Sequence, residues 1–368
     1  KQYNTVPDKF TFLNAFPDFE IFEVNEPDSY LLEELQKDYA ISVIAEGFNK
    51  AKEAVGKDNV DEAINILKQT TDNVKINTAM TCTSLIGDTS RYDRYLERVT
   101  NHNDFYISTG FRELDQIIGG IDIENENMVI AARTGIGKSW TLLMMAAAGA
   151  RAGKTVGIYS GEMSVDKVGY RIDTLLGNIN NTVITRGTDT SVQIQYKNYI
   201  DNIKIYCPGD IKVLTPNDIN GPATVDALQA FIEKEHIDEL FIDQYSLLED
   251  TSHSKVMHER VANISKAVKN LQVMKRIPII SVSQLNREKN EDGEQDTTQI
   301  GLSDRIGQDA TTIIMLSRKI TYEDEKKKTG VRDDRLIFNV VKCRDGGTGK
   351  LEYHADFNTG KFIYLNPN

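Results

Sequence analysis

The sequence predicts an α/β protein. A mostly parallel sheet is flanked by helices, antiparallel strands close its C-terminal end, and a helical segment precedes it. Three observations carry this prediction. From about Phe105, short β-rich apolar runs alternate with segments of helical period, as expected of buried parallel strands joined by crossover helices. One run, "MVIAA", leads straight into "RTGIGKS", a strand, glycine loop and helix in succession. The final runs are joined by a Gly-rich turn and not by helices, which fits antiparallel strands.

Residues 1–76 read as a helical N-terminal segment. Its first part, to Pro27, has no sustained period. Between Ser29 and Ala54, residues Leu31, Leu32, Leu35, Ile41, Ile44, Ala45 and Phe48 approximate a helical stripe. "GKDN" interrupts it, and a second helix follows from about Val60 to Val74, with Ala63, Ile66 and Leu67 on one face and Asp58 or Asn59 as its cap. Residues 77–104 read as a linker holding one short amphipathic helix at 88–100. Its apolar positions are Tyr92, Tyr95, Leu96 and Val99. So short a helix is marginal alone in water; it must pack on its own domain or on a neighbouring subunit.

Residues 105–368 carry the sheet. The expected strands are "MVIAA", "TVGIYS", "IKIYC", "DELFID", "IPIISVS", "TTIIML" and "RLIFNVV", with helices at Lys138–Arg151, Asp166–Leu176, Thr224–Glu235 and Val256–Lys275.

The 368 residues are 40% hydrophobic, enough for a sizeable core. The net charge of -12 argues against a protein that coats nucleic acid, and leaves room for nucleic acid held by a few loops. Cys82, Cys207 and Cys343 fit no metal spacing and suit reduced, cytoplasmic thiols. No apolar run is long enough to span a membrane, and no secretory signal is present. Residue 1 is Lys, which points to sequence upstream.

Ala132 to Ser139 is a phosphate-loop pattern with Ala at its first position. Backbone N–H groups of Arg133, Thr134, Gly135, Ile136, Gly137, Lys138, Ser139 and Trp140 can curl around phosphates at a helix N-terminus. The two glycines permit the curl, the Lys138 ammonium meets the β- and γ-phosphates, and the Ser139 hydroxyl reaches Mg²⁺. ATP and Mg²⁺ are therefore the expected ligands. Asp243 ends an apolar strand and can anchor the metal; alternatively it only begins a turn. Glu162 in "YSGEMS" is the candidate base, or a carboxylate favoured by a helix dipole. Gln284 ends another apolar strand, as a γ-phosphate sensor or a plain loop amide. Lys342 and Arg344 lie two apart on a strand and so project from one side.

In chain order, "STGFRELDQIIGG", "AARTGIGKS", "YSGEMS", "FIDQYSLL", "SVSQLNRE", "RIGQDA" and "VKCRDGGTG" resemble the motifs of the DnaB family of hexameric replicative helicases, which have a RecA-like motor. The resemblance covers about residues 105–368 and extends more faintly to the helices before them. It implies an ATP-dependent helicase whose nucleotides lie between the subunits of a hexameric ring, with Lys342 and Arg344 reaching the neighbour's phosphates. It also implies single-stranded DNA in the pore, and a primase and a helicase loader as partners. The loop sequences depart from the bacterial pattern toward a phage-type member, which would work in a host cytoplasm.

The family's pore loops correspond to Glu249–His258 and Asn286–Arg305. Lys255, Arg287, Lys289 and Arg305 are their basic candidates for DNA contact, and the backbone from Gly301 through Ser303 to Arg305 can also meet phosphates. The second loop is acidic on balance and lacks the Arg-Glu-Ser-Gly of bacterial members. Two other functions stay open at this point. One is a RecA-like DNA-binding ATPase that uses ATP as a switch without unwinding. The other is a small-molecule P-loop kinase.

Overall fold

The computed structural model describes residues 9–17, 28–78, 84–251, 254, 256–285, 304–324 and 329–365. They divide into two units, Lys1–Arg91 and Tyr92–Asn368.

The first unit holds helices Lys9–Ala15, Asp28–Gly56 and Val60–Thr78. Asn59 caps the third, its side-chain oxygen accepting from the Glu62 N–H at 3.2 Å. The two long helices meet through small residues: Ala51, Ala54 and Ala63 are buried, and a Cβ on Gly47 would lie 2.1 Å from Thr70 Oγ1. The expected stripe faces elsewhere. Leu31, Leu35, Ile41, Ile44 and Phe48 are exposed, because close helix approach selects the Gly/Ala face for the contact.

In the second unit the helix Arg91–Thr100 buries none of its residues. Tyr92, Tyr95, Leu96 and Val99 are all exposed. Strands β1 (Tyr106–Ile107) and β2 (Ile121–Asp122) form a small antiparallel pair. The other nine make one sheet: β3 (Asn127–Ala132), β4 (Thr155–Ser160), β5 (Asp210–Leu214), β6 (Glu239–Asp243), β7 (Ile279–Gln284), β8 (Thr312–Asp324), β9 (Thr329–Cys343), β10 (Gly349–Asp356) and β11 (Lys361–Leu365). Their order is β11-β10-β9-β8-β3-β7-β6-β4-β5. Pairing is parallel from β8 to β5 and antiparallel from β8 to β11. Every residue of β3 and β6 is buried, which explains their unbroken apolar runs. The helix Lys138–Arg151 is buried nearly all round, and Ser164 and Thr224 cap the helices Val165–Gly177 and Val225–Glu235.

One expected strand is corrected. "IKIYC" contributes a helical turn, Ile203–Tyr206, and the strand is β5 just after it. Alternation alone suited both segments. The place beside β4 is reached only past Gly209, where a Cβ would lie 2.3 Å from the Lys154 carbonyl oxygen. Pairing then begins with Thr155 opposite Asp210.

Glu239 opens β6 with no solvent exposure, and neither carboxylate oxygen has a hydrogen-bond partner among the described residues. Burial pushes its pKa up from 4.5 to about 8, against a smaller opposing pull from Lys154. A raised folded-state pKa means stability present under acid conditions and lost as pH rises through about 8. Glu239→Gln should therefore flatten the fall in melting temperature between pH 6 and 9, gaining a few kcal/mol over the parent at the alkaline end. Thermal melts of both proteins across that range check this; parallel curves would refute it.

Candidate active site

Four neighbouring parallel strands, β3, β7, β6 and β4, end at one edge of the sheet. Ala132 lies beside Gln284, and Asp243 beside Ser160. The segments leaving these ends enclose a cavity of about 320 Å³, at the strand ends where α/β sheets bind ligands.

The phosphate loop forms one wall. Gly135 and Gly137 have φ of 75° and 126°, values that other residues rarely adopt. Gly137 is further constrained, since a Cβ there would lie 2.5 Å from the Phe357 ring. Lys138 Nζ donates to the Ala132 carbonyl at 3.1 Å, folded over its own loop. Burial pulls the Lys138 pKa below its ordinary value, while Asp243 and Glu162 push it back up.

Asp243 forms the floor and is 5% exposed. Burial raises its pKa; the nearby Ser139 hydroxyl and the charges of Arg171 and Lys138 act the other way. A serine hydroxyl paired with a carboxylate is a hard-oxygen donor set suited to Mg²⁺. With the glycine cradle and Lys138 it fits a metal-bound nucleoside triphosphate. Glu162 stands two residues past β4 and accepts from the Gln244 amide at 3.2 Å. Gln284 is exposed toward the same cavity.

The fold thus gathers Thr134, Gly135, Gly137, Lys138, Ser139 and Trp140 with Glu162, Asp243 and Gln284. Arg133 is exposed outside the cavity lining, and the Ile136 side chain is buried in the core, leaving only its backbone for a ligand. Lys342 and Arg344 do not line the cavity either. Lys342 Nζ donates to the Gly307 carbonyl at 2.7 Å, and Arg344 to the Gln308 carbonyl at 3.1 Å. Of the DNA-contact candidates, Arg305 is exposed and ion-paired with Asp309 at 3.1 Å. Lys255, Arg287, Lys289, Gly301 and Ser303 lie outside the described residues.

Three cavity residues were missed in the sequence: Arg171, Gln244 and Phe357. Arg171 stacks on Trp140, 5.1 Å from its ring centroid. Trp140 lies parallel to Phe357 at 5.5 Å, and Arg318 covers Phe357 at 4.7 Å. Arg318 also donates to the Ile136 carbonyl at 3.1 Å, pinning the loop from outside. A signal for Arg171 existed, an arginine between Val168 and Ile172 on the apolar face of a helix. Phe357 offered none, being more than two hundred residues from the loop it touches.

The family model described as "DnaB-like helicase C terminal domain" matches residues 106–363. The chain is 25% identical over 275 residues to the replicative DNA helicase DnaB of Haemophilus influenzae, covering 72% of this chain and 57% of that one. It is 30% identical over 263 residues to a probable plasmid replicative DNA helicase of Chlamydia psittaci, covering 70% and 55%. The chain therefore spans a little over half the length of the curated relatives it matches. Two solved structures share the fold at 22% identity. One is an ATPase domain, with a TM-score of 0.64, covering 76% of this chain and 99% of that one. The other is a DnaB-like replicative helicase solved to show its interactions with primase, with a TM-score of 0.63, covering 92% and 78%.

Trp140, the one tryptophan of the chain, borders the cavity. Its fluorescence should change when Mg²⁺–nucleotide is added. Lys138→Ala should weaken that binding about 10- to 100-fold, the scale of one charge-assisted contact. Unchanged affinity in the titration would remove Lys138 from the site.

Proposed function

This chain belongs to the DnaB-like helicase C-terminal domain family, and from that premise we propose that it is an ATP-dependent replicative DNA helicase. The observation that carries the hydrolytic half is the convergence of Lys138, the Ser139–Asp243 pair, Glu162 and Gln284 on one cavity. Backbone N–H groups of the loop and the Lys138 ammonium hold the phosphates. Glu162, oriented by the Gln244 amide, directs the attacking water. Ser139 and Asp243 would hold Mg²⁺, which would supply charge neutralisation on the phosphate oxygens. Arg171 adds a second cation from the same subunit. Gln284 senses the terminal phosphate and passes its loss to the following loop.

Lys342 and Arg344 act on a second copy's nucleotide in this reading, as fingers supplied in trans. That neither lines its own chain's cavity supports it. So does the helix Arg91–Thr100, whose exposed apolar face suits docking on a neighbouring subunit. The assembly is a hexameric ring with single-stranded DNA in its pore, contacted by the 249–258 and 286–305 loops. In domain terms, 105–368 is the motor, 77–104 the linker and 1–76 a helical N-terminal segment. Primase and a helicase loader are the proposed partners and the cytoplasm the proposed location; no described helix is long and apolar enough to cross a membrane. Family membership sets aside the small-molecule kinase.

A forked duplex with Mg²⁺–ATP distinguishes motor from switch: strand release is expected. Turnover by an assembled, DNA-bound protein without release would favour the ATP-switched binder. Arg344→Ala should keep the assembly and lose about 10³-fold or more of DNA-stimulated turnover, read by phosphate release alongside particle size. Asp243→Asn removes a desolvated charge. It should melt no lower than the parent while losing Mg²⁺-dependent turnover; a collapse of the fold would show Asp243 to be structural.

A further inference from the structure

The paired cations Lys342 and Arg344 have a seat within their own chain. The carbonyls that receive them, Gly307 and Gln308, belong to the last turn of the helix Asp304–Asp309. Terminal helix carbonyls lack intrahelical partners and carry partial negative charge, so they suit cations. The Arg344 N–H is fixed as well, donating to the Thr311 carbonyl at 3.1 Å.

Asp309 holds this turn from three directions. Its carboxylate accepts from the Ser265 hydroxyl at 2.8 Å, on the helix Met257–Lys275. It accepts from Arg305 Nε at 3.1 Å, one turn back in its own helix. Its carbonyl accepts from Asn127 Nδ2 at 3.2 Å, at the start of β3. The Asp309 side chain is only 11% exposed. Lys269 brings a third cation close: burial, and after it Arg344, disfavours the charge on both Lys269 and Lys342, with Asp309 opposing this in part at both and Glu126 more strongly at Lys269. Asp309 is thus the clamp on the carbonyl seat of a crowded basic cluster.

We propose that Asp309 is a positioning residue for the finger. It fixes the carbonyl seat from which Lys342 and Arg344 are presented and, through Arg305, ties that seat to anions drawn to Arg305. This rests on the reading that Lys342 and Arg344 serve a neighbouring nucleotide. A DNA phosphate at Arg305 competes for the cation that Asp309 holds and so loosens one of the three contacts that fix the seat. The finger would then be seated differently with and without DNA.

The test is steady-state ATP turnover by the full assembled chain, with and without oligothymidylate. Asp309→Asn preserves shape and can still accept from Ser265, but removes the charge. We expect DNA-stimulated kcat to fall about tenfold or more, the scale of a lost charge-assisted contact. KM for ATP and particle size should stay near the parent's. The double variant with Arg344→Ala should be no slower than Arg344→Ala alone, since the two act through one element. An undiminished kcat, or losses that multiply in the double variant, would overturn the proposal. Full turnover by Arg344→Ala alone would instead remove the finger reading beneath it. If Asp309→Asn does not assemble, Ser265→Ala carries the test: lower kcat at constant KM supports the clamp, and parental kcat overturns it.

Discussion

A carboxylate taken out of water at the end of a central strand must be met by hydroxyls and cations, and the cavity at the strand ends is organised around how Asp243 is met. The Ser139 hydroxyl, Lys138 and Arg171 lie close enough to favour its charge. These groups come from two separate stretches of chain. Ser139 and Lys138 open the helix after β3, while Arg171 sits midway along the helix after β4. Glu162, also near, disfavours the charge on Asp243 and is itself tied to Gln244, the residue after Asp243. The arrangement is poor for bare stability, since a desolvated carboxylate beside another carboxylate costs free energy. It is what a divalent cation with a polyphosphate can relieve, and that relief is the physical reason to read the site as one that works only when loaded.

The packing outside the cavity serves the same edge of the sheet. Arg171, Trp140, Phe357 and Arg318 form a continuous stack from the helix Val165–Gly177 to β8. Its Phe357 ring abuts the phosphate loop at Gly137, and its Arg318 guanidinium holds the loop at the Ile136 carbonyl. Phe357 occupies the space a side chain at position 137 would need, so the turn between β10 and β11 and the glycine loop define each other's shape. The antiparallel strands are therefore part of the proposed nucleotide site even though they supply none of its phosphate-loop chemistry.

The chain also carries apolar surface that its own fold leaves uncovered. In the first unit Leu35, Ile41 and Phe48 face outward, and in the second so do Tyr92, Tyr95, Leu96 and Val99. An amphipathic helix that buries nothing lacks the packing that normally stabilises it. Together with a basic pair outside its own cavity, this is the surface expected of a subunit and not of a solitary enzyme. That is the support for the proposed ring.

The sequence by itself determined the class of fold, most of its strands and helices, and the chemical identity of the phosphate loop. It could do so because those features are local. A run buried on both faces must be apolar throughout, a tight anion cradle must be glycine-rich, and a helix start must be capped, all within a few residues of chain. Only the tertiary structure decided that the strand beside β4 is Asp210–Leu214 and not "IKIYC", because both alternate alike and the sheet accepts the one that lies past Gly209. It alone brought Phe357 onto Gly137 and Arg171 onto Trp140. It alone turned the buried face of the longest N-terminal helix toward Gly47 and Ala51, away from the leucine stripe. Such contacts join residues far apart in the chain, and they are selected by the space left between packed elements, which no local pattern of residues records.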